Sequence, residues 1–435
     1  MKSSLLITAS LLFAVCTKAQ DVIRCGQEIM SSSMEQSFPG FKLRETDLKK
    51  ATAQKAIQAR NMQQALMKTA TDPGPIPVVF HIVVDTNTYI KLGSNAGIAE
   101  RVRSQLEVLN ADFNGANADK SKVPAVWSSL YANVGIRFAS AHVDPTGGYT
   151  PGYDVKIVAS GTSFSAINAA KGVKFTATGG TEAWDPKRYL NVWVTNLTAS
   201  SATVLGITAP PYYSDFTIPE WGIAINSGIF GARTSASQYF LNKFDHGRTL
   251  THEMGHYFYI WHTWGDDGGT CDGDDGISDT PLEGDAATGN PKFPRYDVCT
   301  PADNGIMFMN YMDYTDDTAM YMFTQEQANV MQSEVAETGH SYSLTLNPYL
   351  SDTQVTAPEK IHIGPNPSKG ILYLTYNNAS TSVKSVVVYN IMGQKVIETT
   401  EANIVSIDMS HLAKGVYFVQ CICNNQNIQE KIILQ

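Results

Sequence analysis

His252-Glu253-Met254-Gly255-His256-Tyr257-Phe258-Tyr259-Ile260-Trp261-His262 is the stretch on which the reading of this chain turns. On a helix, residues four apart share a face, so His252 and His256 can direct two imidazoles at one metal ion with Glu253 beside them. A third imidazole follows at His262, but continued helix would rotate it away from that face. The helix must therefore end, and the chain turn, near Tyr259. Three neutral imidazoles hold zinc and leave a fourth tetrahedral position for water, the open geometry of a catalytic site. Zinc lowers the pKa of that water toward ~7, Glu253 takes the proton as general base, and the hydroxide attacks a peptide carbonyl. Glu253 can then return the proton to the leaving amine. The bland alternative is a chance HExxH on an exposed helix; it is weakened because three of only nine histidines fall in this one stretch.

Composition frames that chemistry. With 435 residues, 43% of them hydrophobic, the chain is long and apolar enough for two or three folded units. A net charge of −9 and the lack of a basic stripe argue against a nucleic-acid partner. Residues 1–19 have a basic start at Lys2, an apolar run from Leu5 to Val15 and a small-residue end at Ala19, the layout of a cleaved secretory signal. That run is too short to span a bilayer, and no other segment is apolar for long enough to form a transmembrane helix. Val15 is bulky where a lipoprotein signal has a small residue, which disfavours a lipid anchor on Cys16. The expected location is outside the cell, secreted or at the cell surface.

Export makes cysteines informative, because disulfides persist outside the cytosol. Cys271 and Cys299 flank an acidic loop and form the natural pair, worth roughly 3 kcal/mol in the chain-entropy model. Cys25, in Arg24-Cys25-Gly26, has no structural partner. A thiolate is a strong zinc ligand, so Cys25 can fill the open coordination position and keep the enzyme latent until residues 20–72 are cut away.

Along the chain, Glu45–Lys68 reads as a polar helix, Ile76–Val84 as a buried strand, Arg101–Phe113 as a helix, and Ile136–Phe138, Leu190–Val194 and Ile223–Ile225 as further strands. His81 on the first of these strands reads as packed core. Asp245 is the expected N-cap of the zinc helix. Between Gly265 and Gly284 the carboxylates Asp266, Asp267, Asp272, Asp274, Asp275, Asp279 and Glu283 crowd a Gly-rich loop. Hard oxygen ligands at that density suggest structural calcium, with Asp275, Asp279 and Thr280 as contributors; a solvated loop pinned by the disulfide is the alternative. Thr324 with Gln327 reads as a capping box. A polar linker at 346–358 precedes short strands separated by Asn, Gly and Ser turns, the pattern of a small β-sandwich over 359–435.

These motifs together resemble the metzincins, and within them the pappalysin family of metalloproteases. The resemblance rests on Gly247–His256, on Asn310-Tyr311-Met312-Asp313-Tyr314 and on Asp279-Thr280-Pro281, and it extends upstream through Gln105–Phe113 and Tyr189–Val194. It implies an α+β catalytic domain over 73–345, with a twisted mixed sheet, the zinc helix and an irregular C-terminal subdomain. It also implies that Met312 floors the metal site, that Tyr314 hydrogen-bonds the oxyanion, that Cys25 is a latency cysteine, and that the acidic loop holds calcium. Family members that cleave before Arg or Lys carry an acidic residue near the position of Thr318; Asp316 and Asp317 are neighbours that can substitute. Ala319 stands where relatives often have cysteine.

Tyr259 departs from the family's glycine in a turn that favours positive φ, and it motivates a rival reading, a catalytically weak binding or adhesion protein on the same scaffold. The tail, through Gly364–Gly370, Tyr389–Gln394 and Leu412–Tyr417, resembles the C-terminal sorting domain of the type IX secretion system. That resemblance implies export through periplasm and outer membrane. Partners are then the secretion machinery and protein or peptide substrates.

Overall fold

The computed structural model describes residues 22–66, 74–266, 268–346, 361–376, 383–400, 404–423 and 426–435. The expected signal sequence and nearly all of the expected linker lie outside them. Among the described residues no helix is long and apolar enough to cross a membrane.

The main unit is built on a twisted sheet whose spatial order is Phe138–Ser140, Ile76–Asp85, Leu190–Thr195, Gly222–Asn226, Gly206–Ala209, with Tyr153–Val158 also pairing along Ile76–Asp85. Every pairing is parallel except the last, where Gly206–Ala209 runs antiparallel to Gly222–Asn226. A parallel strand covered on both faces reads as an unbroken apolar run, not an alternating one. Ile76–Val84 and Leu190–Thr195 are buried at every position for that reason. The helix Ser94–Phe113 buries Ile98, Val102, Leu106, Leu109 and Phe113, a 3.6-residue stripe. It starts earlier than its apolar periodicity suggests, because Gly93, at φ 89°, turns the chain into a first turn of small residues.

One expected strand is displaced. The pairing with Ile76–Val78 begins at Phe138, not Ile136, and runs on to Ser140. Asn110 on the helix sets that start: its Oδ1 accepts from Phe138 N at 2.9 Å and its Nδ2 donates to Phe138 O at 2.8 Å. His81 is core, as expected, with Nδ1 2.7 Å from Asp154 Oδ2 and Nε2 2.9 Å from Asn191 Oδ1.

The N-terminal segment contributes two helices, Gln27–Ser37 and Phe41–Leu66. The first was not legible in the sequence, since its apolar face is only Met30 and Met34, which bury in the same core as the sheet, and the partly buried Ile29. The C-terminal unit has two antiparallel sheets, one of three strands (Ile361–Gly364, Ile371–Tyr376, Ser406–Asp408) and one of four (Lys395–Thr399, Val383–Asn390, Gly415–Cys423, Gln426–Leu434). Leu372, Leu374, Val386, Val388, Val419 and Ile432 form its core, consistent with a sandwich.

The helix Gln325–Val335 opens with the capping box expected at Thr324 and Gln327. Thr324→Ala should lower stability by about 1 kcal/mol, measured by denaturant unfolding; an unchanged midpoint would show that the cap contributes nothing.

Candidate metal centre

The helix carrying the histidines spans Arg248–Tyr257, and all of its residues are buried. Its start corrects the expectation for Asp245. The N-cap is Gly247, at φ 75°, with no side-chain cap, and Asp245 instead pairs with Arg233 at 2.6 Å. Asp317, distant in sequence, takes over the capping role: its Oδ2 accepts from His246 N at 3.0 Å and Arg248 N at 3.3 Å. A carboxylate at this end also suits the positive pole of the helix dipole.

The helix ends where His262 requires. Ile260 N–H reaches Gly255 O at 2.9 Å and Tyr259 N–H reaches His256 O at 3.1 Å, the paired bonds of a Schellman ending. Tyr259 occupies the left-handed position, at φ 75°, where a side chain costs about 1–2 kcal/mol. Its ring lies 4.4 Å from that of Tyr212, and its hydroxyl donates to Leu48 O at 3.1 Å on the N-terminal helix. Losing a large buried aromatic costs about 3–5 kcal/mol, so the packing outweighs the strain.

The turn brings three imidazoles together. His256 Nε2 is 3.2 Å from His252 Nε2 and 3.0 Å from His262 Nε2, and Cys25 Sγ is 3.6 Å from His256 Nε2. These four ligand atoms all lie within 4.8 Å of one another. Each imidazole donates its Nδ1–H elsewhere: His252 to Tyr311 O at 2.7 Å, His256 to Ile260 O at 2.8 Å, His262 to Asp266 Oδ1 at 2.6 Å. Every Nε2 therefore keeps a free lone pair. Burial, then the neighbouring imidazoles, hold His252 well below the usual histidine range, and the same causes bring His256 down to about 3. Neutral nitrogen donors with one sulfur, converging at this distance, fit zinc.

Beside them Glu253 is fully buried, and burial pushes its carboxyl up to about 7 against the opposing hydrogen bond from Thr208. Thr208 Oγ1 donates to Glu253 Oε2 at 2.6 Å, whereas Oε1 makes no hydrogen bond of normal geometry among the described residues. A Cβ at Gly206 would lie 2.5 Å from Oε1, so only glycine leaves room for the carboxylate there. Met312 lies beneath the helix: a Cβ at Gly255 would come within 2.3 Å of its sulfur. Tyr314 has its ring 5.7 Å from His252 and 4.9 Å from His262, and its buried hydroxyl has no hydrogen-bond partner among the described residues.

The N-terminal segment crosses this site. Val22 and Ile23 pair in parallel with Thr203 and Val204, and Gly26 N donates to Gly206 O at 2.8 Å. Between them Arg24 reaches 2.9 Å from Asp317 Oδ1, with its guanidinium 4.8 Å from the Phe244 ring centroid. Of the three residues marked for specificity, only Asp317 meets this arginine. Asp316 faces Lys243 at 3.6 Å, and Thr318 Oγ1 accepts from Asn290 at 3.4 Å.

In the acidic loop Cys271 and Cys299 form the expected disulfide, with Cα atoms 5.6 Å apart. The buried Asp275 accepts from Thr280 Oγ1 at 2.9 Å, while Asp279 Oδ2 accepts from Glu326 N at 3.0 Å. Sequence reasoning missed Arg24, Thr208 and Asp266. Arg24 was adjacent to a residue already singled out, and Asp266 was one carboxylate among many. Nothing in the sequence pointed to Thr208.

Residues 178–336 match the family model for pregnancy-associated plasma protein-A, a peptidase family, and residues 362–435 match the secretion system C-terminal sorting domain. An extracellular metalloprotease of Arthroderma benhamiae is 39% identical over 90 residues, 20% of this chain and 30% of that protein. One from Neurospora crassa is 39% identical over 94 residues, 21% and 31% of the two chains. The chain thus spans about a third of the length of these curated relatives. Coverage is complete for mature mirolysin of Tannerella forsythia in complex with a cleaved peptide: 37% identity over 65% of this chain and 100% of that one, TM-score 0.59. A promirolysin variant from the same organism is 33% identical over 75% of this chain and 99% of that one, TM-score 0.61. With that full-length correspondence, the chain belongs to the pappalysin family of metalloproteases and carries a type IX secretion sorting domain at its C-terminal end.

Proposed function

We propose that this chain is an exported zinc-dependent endopeptidase, held latent by its N-terminal segment, that hydrolyses peptide bonds and prefers Arg or Lys after the scissile bond. The observation that carries the reading is the convergence of Cys25, His252, His256 and His262 beside Glu253, with Arg24 on Asp317. His252, His256 and His262 would hold the metal, and Cys25 would complete the set in the latent chain. Zinc bound there would supply Lewis-acid polarisation of a carbonyl and acidify a water. The buried Glu253 carboxylate, anchored through Oε2 by Thr208, takes a proton from the attacking water on its other oxygen, Oε1, and returns it to the leaving amine. The unpartnered Tyr314 hydroxyl donates to the oxyanion as the carbonyl becomes tetrahedral. Met312 keeps the floor apolar.

Arg24 supports the specificity reading because it is a guanidinium already seated on Asp317 one residue from the metal ligand Cys25. A substrate arginine or lysine would take the same seat once the segment leaves. We further propose calcium at Asp275, Asp279 and Thr280; the buried Asp275 carboxylate beside the Thr280 hydroxyl supports it.

Glu253→Ala should retain about one zinc per chain yet lose cleavage of a peptide library by at least ~1,000-fold, while the wild-type profile shows Arg or Lys after the cut. Stoichiometric zinc without turnover in the wild type would instead favour the binding or adhesion reading. Cys25→Ala should speed activation of the full-length precursor, and unchanged activation kinetics would remove the latency role. Stripping calcium with zinc retained should lower the melting temperature by on the order of 5 °C, and an unshifted transition would leave a solvated loop pinned by the disulfide.

A further inference from the structure

The three histidines are not held alike. His252 and His256 donate their Nδ1–H groups to backbone carbonyls, of Tyr311 and Ile260, which no side-chain replacement can alter. His262 alone donates to a side chain, the Asp266 carboxylate, at 2.6 Å. Its ring is otherwise fixed by stacking on Trp264, with centroids 4.3 Å apart and planes 8° from parallel. Asp266 is held at φ 55°, a left-handed conformation that turns the chain back under the imidazole. Its second oxygen, Oδ2, is 3.0 Å from Lys49 Nζ on the N-terminal helix, and the same ammonium donates to Gly265 O at 3.0 Å. One carboxylate is thus shared between a metal ligand and a segment expected to leave on activation.

We propose that Asp266 is the positioning residue for the third histidine, and that Lys49 draws on its charge while the N-terminal segment is in place. This rests on the reading of the three histidines as zinc ligands. A carboxylate accepting from the distal nitrogen fixes the tautomer and makes Nε2 a stronger donor. Lys49 pulls part of that negative charge toward itself, so the third imidazole is a weaker metal donor in the latent chain than in the activated one. Removal of the segment then takes away the Cys25 sulfur but returns the full Asp266 charge to the third imidazole. The link also runs in reverse: a metal bound through His262 draws on the same carboxylate and so weakens the Asp266–Lys49 contact, favouring release.

The test is zinc affinity of the full-length chain by chelator competition, a readout independent of turnover. Asp266→Asn should weaken zinc by 10–100-fold, as loss of an outer carboxylate partner does. Asp285→Asn, an exposed carboxylate of the same loop, should leave it unchanged and so controls for charge alone. Lys49→Met should tighten zinc severalfold, and it keeps the proposal testable if the Asp266 variant fails to fold. Wild-type affinity in both Asp266→Asn and Lys49→Met would overturn the proposal. If the wild type bound no zinc, or His252→Ala kept full affinity, the three-histidine reading itself would fall, a result distinct from failure of the Asp266 role.

Discussion

An imidazole binds a metal only through a nitrogen that carries no proton, so each ligand histidine must give its other N–H to a fixed acceptor. Much of the architecture around the site serves that constraint. Tyr311 O, Ile260 O and Asp266 Oδ1 are the acceptors, and each is positioned by a different part of the chain. Tyr311 precedes Met312 and is anchored by its hydroxyl to Asp112 on the helix Ser94–Phe113. Asp112 in turn accepts from Thr251 at 2.9 Å, on the helix that carries His252. Ile260 is placed by the Schellman turn. Burial of the whole helix adds to these contacts by disfavouring the charged imidazolium.

The same burial makes the N-terminal segment a plug built from complementary groups. Arg24 satisfies the charge of Asp317, and Cys25 meets the histidines. Further along, Glu45 accepts from Tyr213 at 2.9 Å, Thr52 Oγ1 accepts from Trp261 at 2.9 Å, and Lys55 pairs with Glu334. A segment too polar to fold alone is ordered by the surface it covers. Tyr259 belongs to this surface. Its hydroxyl bonds the N-terminal helix and Lys55 lies 4.4 Å over its ring, which gives a physical reason for a tyrosine where a glycine would relieve backbone strain.

Legibility in the sequence followed periodicity and local spacing. The buried strand Ile76–Asp85, the helix ending at Phe113 and the capping box at Thr324 could be read because each pattern is complete within a few residues. The helix Gln27–Ser37 could not, because two methionines and a half-buried Ile29 make too weak a stripe. The start of the strand at Phe138 depended on Asn110, and the cap of the histidine helix on Asp317; both partners lie far away in the chain. Among Asp316, Asp317 and Thr318 the sequence offered three candidates without ranking them.

By itself, the sequence determined the grouping of the three histidines. The four-residue spacing of His252 and His256 dictates a shared helical face, and His262 dictates a turn at Tyr259, since helical rotation allows no other convergence. Tertiary structure decided what those groups face. It set Thr208 and Gly206 against Glu253, left the Tyr314 hydroxyl without a partner among the described residues, gave Arg24 to Asp317, and singled out Asp266 from a crowd of equivalent carboxylates. Hydrogen bonds act over about 3 Å whatever the separation along the chain, and only the fold brings such distant atoms within that reach.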